Sequence, residues 1–311
     1  MSAYLELESR FRRIAALNEA VGMLHWDMSV LMPTGGASAR AEQLAALKLT
    51  IHEMKTSTEF HDLLEAAESD VLDGSWQRAN LREMRRSWVH ANAVDADLVE
   101  AMTRASSACE MVWREARSEN DFAKVLPYLE EVLKLSQEAG KAKSVALECS
   151  VYEALLDQYE PGGRTKQIDD LFADLVSFLP DFLETALAKQ AEQGEAIAPV
   201  GPFDADRQCN LGRHLMQVLG FDFGAGRLDV SLHPFCGGVP GDIRITTRYG
   251  EDDFTQSLMG VLHETGHALY EMGLPEEWRY QPVGAARGMV LHESQSLLIE
   301  MQACRSREFL S

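Results

Sequence analysis

The sequence predicts a mainly α-helical fold with one small antiparallel β element near residues 228–248. Three observations carry that prediction. Apolar residues recur at three- and four-residue steps through most of residues 1–200. Pro and Gly clusters interrupt this periodicity only at wide intervals. Alternation of apolar and polar residues is confined to Leu228–Leu232 and to the stretch from Ile243 to Arg248.

The first helix runs from residue 4 to about residue 30, where Leu5, Phe11, Ile14, Leu17, Val21 and Leu24 form one apolar stripe. Pro33, Gly35 and Gly36 break it, and a second helix starts near Ser38 and reaches about Lys55. Helical periodicity then covers roughly 58–70, 76–117, 121–158, 165–194 and 204–219. Tyr159-Glu160-Pro161-Gly162-Gly163 ends one long helix, and Ala198 to Pro202 ends another. After Gly220 the texture changes to two short strands joined by a Gly/Pro-rich connection, His233 to Gly241. Asp253 is placed to cap the next helix, which Gly273 and Pro275 stop. A last helix runs from about Gly288 through Cys304. This divides the chain into a helical portion, 1–200, and a portion, 201–311, that carries the chemistry described below.

Composition narrows the function. The 311 residues bury a substantial core, and 46% hydrophobic content is that of a globular protein. A net charge of −20 argues against a nucleic-acid binder, because phosphate is repelled where no basic patch exists. There is no apolar run of membrane-spanning length and no basic segment followed by an apolar stretch at the N-terminus. Five scattered cysteines without a CxxC pair indicate reduced thiols, and the expected location is cytoplasmic.

The chemistry concentrates in His263-Glu264-Thr265-Gly266-His267, an H-E-x-x-H pattern in a helical setting. Residues four apart share a helix face, so His263 and His267 present two nitrogens to one ion. Glu264 is rotated by about 100° from His263, beside the ion rather than on it, where a carboxylate serves as general base toward a metal-activated water. A third protein ligand is needed. Glu271, Glu276, Glu277, Glu293 and Glu300 are the carboxylates that compete. Glu271 lies about 12 Å along the axis from His263, too far to share the ion with both histidines, but able to meet the outer nitrogen of one of them. Glu293 is best placed, because the intervening loop lets the last helix fold back on the first.

Read together, the motifs resemble the M32 metallocarboxypeptidases, the Taq-type thermostable carboxypeptidase family. They are Trp26-Asp27 with Met32-Pro33, the Tyr159-Glu160-Pro161-Gly162 turn, His233-Pro234-Phe235, the D-x-R-x-T run of Asp242, Arg244 and Thr246, H-E-x-x-H, and His292-Glu293-Ser294-Gln295-Ser296. The resemblance runs the length of the chain. It implies a single peptidase domain over 1–311 with a helical gluzincin-type fold and a deep cleft. It also implies zinc, with cobalt or another divalent ion as substitute, held by His263, His267 and Glu293, with Glu264 as base. The substrates would be peptides with a free C-terminus, and the assembly a homodimer. Further candidates lie on and before the strand that precedes the metal helix. Arg244 would meet a substrate carboxylate or else form a structural pair with Asp242, and that strand would align an extended peptide. His233 would approach the cleft or simply fix the turn before Pro234.

Members of that family are expected to continue past the H-E-S-Q-S helix, so the chain is expected to be C-terminally incomplete, with a missing C-terminal half as a conceivable partner. Its last helix is then expected to expose Leu297, Leu298 and Met301. Two readings of function follow: a zinc metallocarboxypeptidase, and a catalytically weak zinc-binding remnant acting as a binding or assembly module. An endo- or dipeptidyl-peptidase is a third.

Overall fold

The structure is a computed structural model that describes residues 2–72, 74–194 and 199–311. The N-terminal portion is a layered helical array: α1 (Ala3–Val30), α2 (Ala37–Thr56), α3 (Thr58–Ser69), α4 (Ser75–Asn92), α5 (Ala96–Glu119), α6 (Phe122–Leu147), α7 (Val151–Leu156) and α8 (Thr165–Ala191). Its core takes one face each of α1 to α4. Tyr4, Leu7, Phe11 and Ile14 from α1 meet Ile51 of α2, Phe60 and Leu64 of α3, and Leu81 and Met84 of α4. Removing these side chains from water is the main stabilising term here.

Two helices read as continuous are divided. The 76–117 stretch breaks after Asn92, where Asp95 takes the Leu98 N–H at 2.8 Å and starts α5 afresh. The 121–158 stretch breaks at Glu148, which adopts φ 51°, and restarts at a reciprocal cap between Ser150 and Glu153. A capping side chain outcompetes the apolar period that runs through both points. The break read at Ala198–Pro202 begins on Ala198, which lies outside the described residues; α8 itself ends at Ala191.

The second portion holds α9 (Ala205–Leu219), strands β1 (Gly226–Val230), β2 (Cys236–Val239) and β3 (Asp242–Thr247), then α10 (Phe254–Met272), α11 (Met289–Leu297) and the terminal turn α12 (Arg307–Leu310). A second core joins Met216 of α9, Phe221, Ile243 and Ile245 of β3, and Val261 and Ala268 of α10. Among the described residues the sheet has three strands, in the order β1-β3-β2. The small β element is therefore present, but its pairing corrects the sequence reading. The two alternating segments, β1 and β3, pair in parallel, with Leu228 opposite Ile245. The Gly/Pro-rich connection supplies β2, which pairs antiparallel with β3. Glycine is depleted in strands, which hid β2. Here it is required: Gly238 has φ 89°, and a Cβ there would sit 2.2 Å from the Asp242 carbonyl.

Two contacts fix the loop that precedes α11. The fully buried Asn80 of α4 donates to Tyr4 and to Gln281, each at 3.1 Å, and accepts the Val283 N–H. At the start of α11, the Met289 N–H donates to the Tyr159 carbonyl at 2.8 Å and the Val290 N–H to the Glu160 carboxylate at 3.1 Å. The Tyr159-Glu160-Pro161-Gly162 turn thus does more than end a helix: it satisfies the free N–H groups of another. The last predicted helix is α-helical only to Leu297. Leu298–Ala303 is a π-helical turn in which the Cys304 N–H reaches the Ile299 carbonyl at 2.9 Å.

Candidate metal centre

Helix α10 is held by α9 and by β3. Gly212 of α9 lets Val261 approach, Ser257 donates to Gln208 of α9 at 2.6 Å, and Thr247 of β3 donates to the Ser257 carbonyl at 3.5 Å. Asp253 caps the helix, taking the Thr255 N–H at 2.8 Å. On the remaining side α11 lies so close that a Cβ on Gly266 would fall 2.5 Å from the Gln295 carbonyl oxygen and from the Ser296 Cα. That approach of two backbones is what brings Glu293 over the histidines.

His263, His267 and Glu293 each offer one ligand atom, and the three lie within 4.8 Å of one another. Glu293 spans both rings: Oε1 is 3.6 Å from His263 Nε2, and Oε2 is 3.4 Å from His267 Nε2. Ligand atoms about 2.0–2.1 Å from a tetrahedral zinc stand about 3.3 Å apart, so the spacing fits such an ion. The outer nitrogens fit too. His263 Nδ1 is 3.0 Å from Glu300 Oε2, which accepts its proton and leaves Nε2 a lone pair. His267 Nδ1 is 2.6 Å from His292 Nδ1, and His292 Nε2 is 2.8 Å from Glu271 Oε1. With His292 Nε2–H donating to the carboxylate, its Nδ1 accepts from His267 Nδ1–H, and His267 Nε2 also keeps a lone pair. Burial, with His292 and His263 nearby, holds His267 below the usual histidine range, hence neutral and able to ligate.

Glu264 is buried beside this group, and burial pushes its carboxyl up to about 7. The adjoining His263 and the Cys236 N–H pull it down, while the Glu293 charge pushes it up. A carboxyl so placed exchanges protons near neutrality.

Sequence-predicted residues outside this group fare differently. Glu271 does not touch His263 or His267 as expected; it acts one residue removed, through His292, because α10 carries it a full turn past His267. Glu300, one of the competing carboxylates, instead meets the outer nitrogen of His263, the position expected for Glu271. Its seven-residue spacing from Glu293 on one helical face was the available signal. Arg244 forms a bidentate pair with Asp242, at 2.8 and 2.6 Å, and lies 4.5 Å from the Trp26 ring centre. This is the structural alternative, and Trp26 of the Trp26-Asp27 motif is part of it. The strand carrying these residues, β3, is paired on both edges, so it has no free ladder for an extended peptide; that expectation is corrected. The His233 ring is exposed, while its carbonyl accepts from Ser231 Oγ at 2.6 Å, which is the turn-fixing reading. Thr246 supports the same loop by accepting the Phe235 N–H at 3.0 Å. The Cys236 N–H against Glu264 had no signal in the sequence, since it depends on β2.

Known proteins resemble this chain over nearly its whole length. The family model for carboxypeptidase Taq (M32) metallopeptidases matches residues 6–311. Thermostable carboxypeptidase 1 of Thermus thermophilus is 36% identical across 99% of this chain and 62% of its own length. Thermostable carboxypeptidase 1 of Pyrococcus furiosus is 32% identical across 98% and 61%. Among solved structures, Trypanosoma cruzi metallocarboxypeptidase 1 superposes with a TM-score of 0.87 at 43% identity, covering 98% of this chain and 61% of that one. The M32 carboxypeptidase of Deinococcus radiodurans gives 0.82 at 30% identity, covering 99% and 61%. The chain thus spans about three fifths of the length of the curated relatives it matches.

Proposed function

Because the chain belongs to the carboxypeptidase Taq (M32) family of metallopeptidases, we propose that it is a zinc metallocarboxypeptidase releasing amino acids from the C-termini of peptides. The family is one of metallocarboxypeptidases, which implies a divalent metal ion. The observation that carries the reading is the convergence of His263, His267 and Glu293 within 4.8 Å, with Glu264 buried beside them. His263 Nε2, His267 Nε2 and a Glu293 carboxylate oxygen would hold the ion. When bound, such an ion supplies Lewis acidity that polarises a scissile carbonyl and makes water a stronger acid.

The chain's own residues supply the rest. Glu264, with a carboxyl poised near neutrality, takes the proton of the attacking water and returns it to the departing amine nitrogen. The Cys236 N–H orients that carboxylate. Glu300 and the His292–Glu271 pair fix the two histidine rings and their tautomers.

Metal analysis and release of C-terminal residues from a blocked dipeptide test the proposal together. Glu264→Gln is expected to keep the metal and lose about 10²–10⁴ in turnover. Metal-free wild-type protein, or unchanged turnover in Glu264→Gln, would falsify it. One observation favours a second reading, a metal-holding module without turnover. The Glu293 side chain is 44% exposed, so one wall of the site is open to water. One equivalent of metal with no release from any peptide selects that reading.

A further inference from the structure

Away from the metal centre, a cavity of about 440 Å³ lies between α2, α4, α5 and α6. Its basic lining is Lys48, His52, His90 and Lys143, and no Asp or Glu lines it. That is unusual in a chain with 49 acidic and 29 basic residues. Lys143 is only 9% exposed, and among the described residues its ammonium has one hydrogen bond, to Gln158 Oε1 at 2.7 Å. Lys48 is half-buried and makes no hydrogen bond or ion pair among the described residues. His90 Nε2 lies 2.7 Å from Asp157, while its Nδ1 is buried without a partner. A buried ammonium with too little counter-charge is costly. Burial, with the Arg86 charge nearby, drives Lys143 down to about 8 against the opposing pull of the Asp157 carboxylate, and burial also lowers Lys48. Lys143 is therefore only partly compensated by the protein, and Lys48 has no ion-pair partner among the described residues.

We propose that this cavity binds a small oxyanion of the phosphate or carboxylate class between Lys48 and Lys143, and that its occupancy braces the metal-carrying helix α11. Its volume is that of a small-molecule site. Two ammonium groups and the His52 ring N–H supply donors that oxyanions accept. The route to α11 is short: covalent as far as the next turn, then hydrogen-bonded. Gln158, which holds Lys143, and Tyr159 both line the cavity. They continue into the turn whose Tyr159 carbonyl and Glu160 carboxylate hold the Met289 and Val290 N–H groups. Asp157, on the His90 side, ties the same turn through the Gly162 N–H at 2.8 Å. An anion that anchors Lys143 and Gln158 stiffens this path toward Glu293.

The test is calorimetric titration of the full chain with inorganic phosphate at constant ionic strength, with chloride as control. Saturable binding at one site is expected, weakened at least tenfold in Lys143→Met and retained in Lys143→Arg, with metal content unchanged in both. If circular dichroism shows Lys143→Met unfolded, Lys48→Met carries the same expectation. Parallel titrations with citrate and with a phosphomonoester identify the source: the tightest of the three names the ligand class. Hydrogen exchange at Met289 and Val290 is expected to slow when phosphate is added. Absence of saturable binding for all three anions, or wild-type affinity in both Lys→Met variants, overturns the site. Unchanged exchange at α11 overturns the bracing.

Discussion

His292 stands between a candidate metal ligand and a carboxylate. It accepts from His267 Nδ1–H on one side and donates to Glu271 on the other. Removing it leaves a buried donor and a half-buried carboxylate without partners, and frees the His267 ring to rotate. His292→Ala is therefore expected to weaken metal binding about 10- to 100-fold while Glu293 stays in place. Competition with a chelator of known affinity measures this, and an unchanged affinity would remove His292 from the site. The arrangement was only partly legible. His263, Glu264 and His267 follow from spacing along one helix, and Glu293 from a helix that must fold back. The partner of the His267 outer nitrogen, His292, depends on where α11 lies across α10, which no spacing encodes.

At the scale of elements, the contact between α10 and α11 is set by the missing side chain of Gly266. Gly266→Ala places a methyl 2.5 Å from main-chain atoms of Gln295 and Ser296, which cannot move aside as a flexible side chain would. The expected result is a loss of about 1–3 kcal/mol in stability, from overpacking. A larger proportional loss in metal affinity is also expected, because Glu293 is carried outward. Urea titration and metal analysis of the same preparation read both.

A second junction, between α7 and α8, depends on charge. Glu153 accepts from the Ser150 and Thr165 main-chain N–H groups and hydroxyls. The Thr165 N–H leads the set of bonds that holds the Glu153 carboxyl down to about 2. The folded pKa lies below the unfolded value of about 4.3. Its stabilisation is therefore present above the unfolded pKa and is lost as pH falls from about 4.3 through about 2. Stability is expected to fall with acid across that window in wild-type protein, and less steeply in Glu153→Gln, as measured by urea midpoints at each pH.

For the molecule as a whole, the notable surface is apolar. None of the residues of α8 is buried, and Phe172, Phe178, Leu179, Phe182 and Leu183 along it are all at least 46% exposed. Leu297, Leu298 and Met301, at the end of α11 and in the turn after it, are exposed as expected from sequence. Contiguous apolar surface of this kind promotes association. Sedimentation is expected to show concentration-dependent association, reduced in the double variant Phe172→Asp, Phe182→Asp. Because neither ring is buried, that variant's melting temperature is expected to shift by only a few degrees. Among the described residues no helix is long and apolar enough to cross a membrane, so this surface is not a span.

What the sequence determined by itself was local: helical periodicity, the cap at Asp253, the turn at Tyr159–Gly163, and the pairing of His263 with His267 across one turn. These depend on dihedral preference and on a fixed 3.6-residue period, which a short stretch carries in full. The tertiary structure alone decided the strand order β1-β3-β2, the enclosure of β3, the hydrogen-bonded chain from Glu271 through His292 to His267, and the support of α11 by Tyr159 and Glu160. Each of these joins segments far apart in the chain. Their geometry is set by which apolar faces bury one another and by how closely two backbones can approach, quantities that no single segment contains.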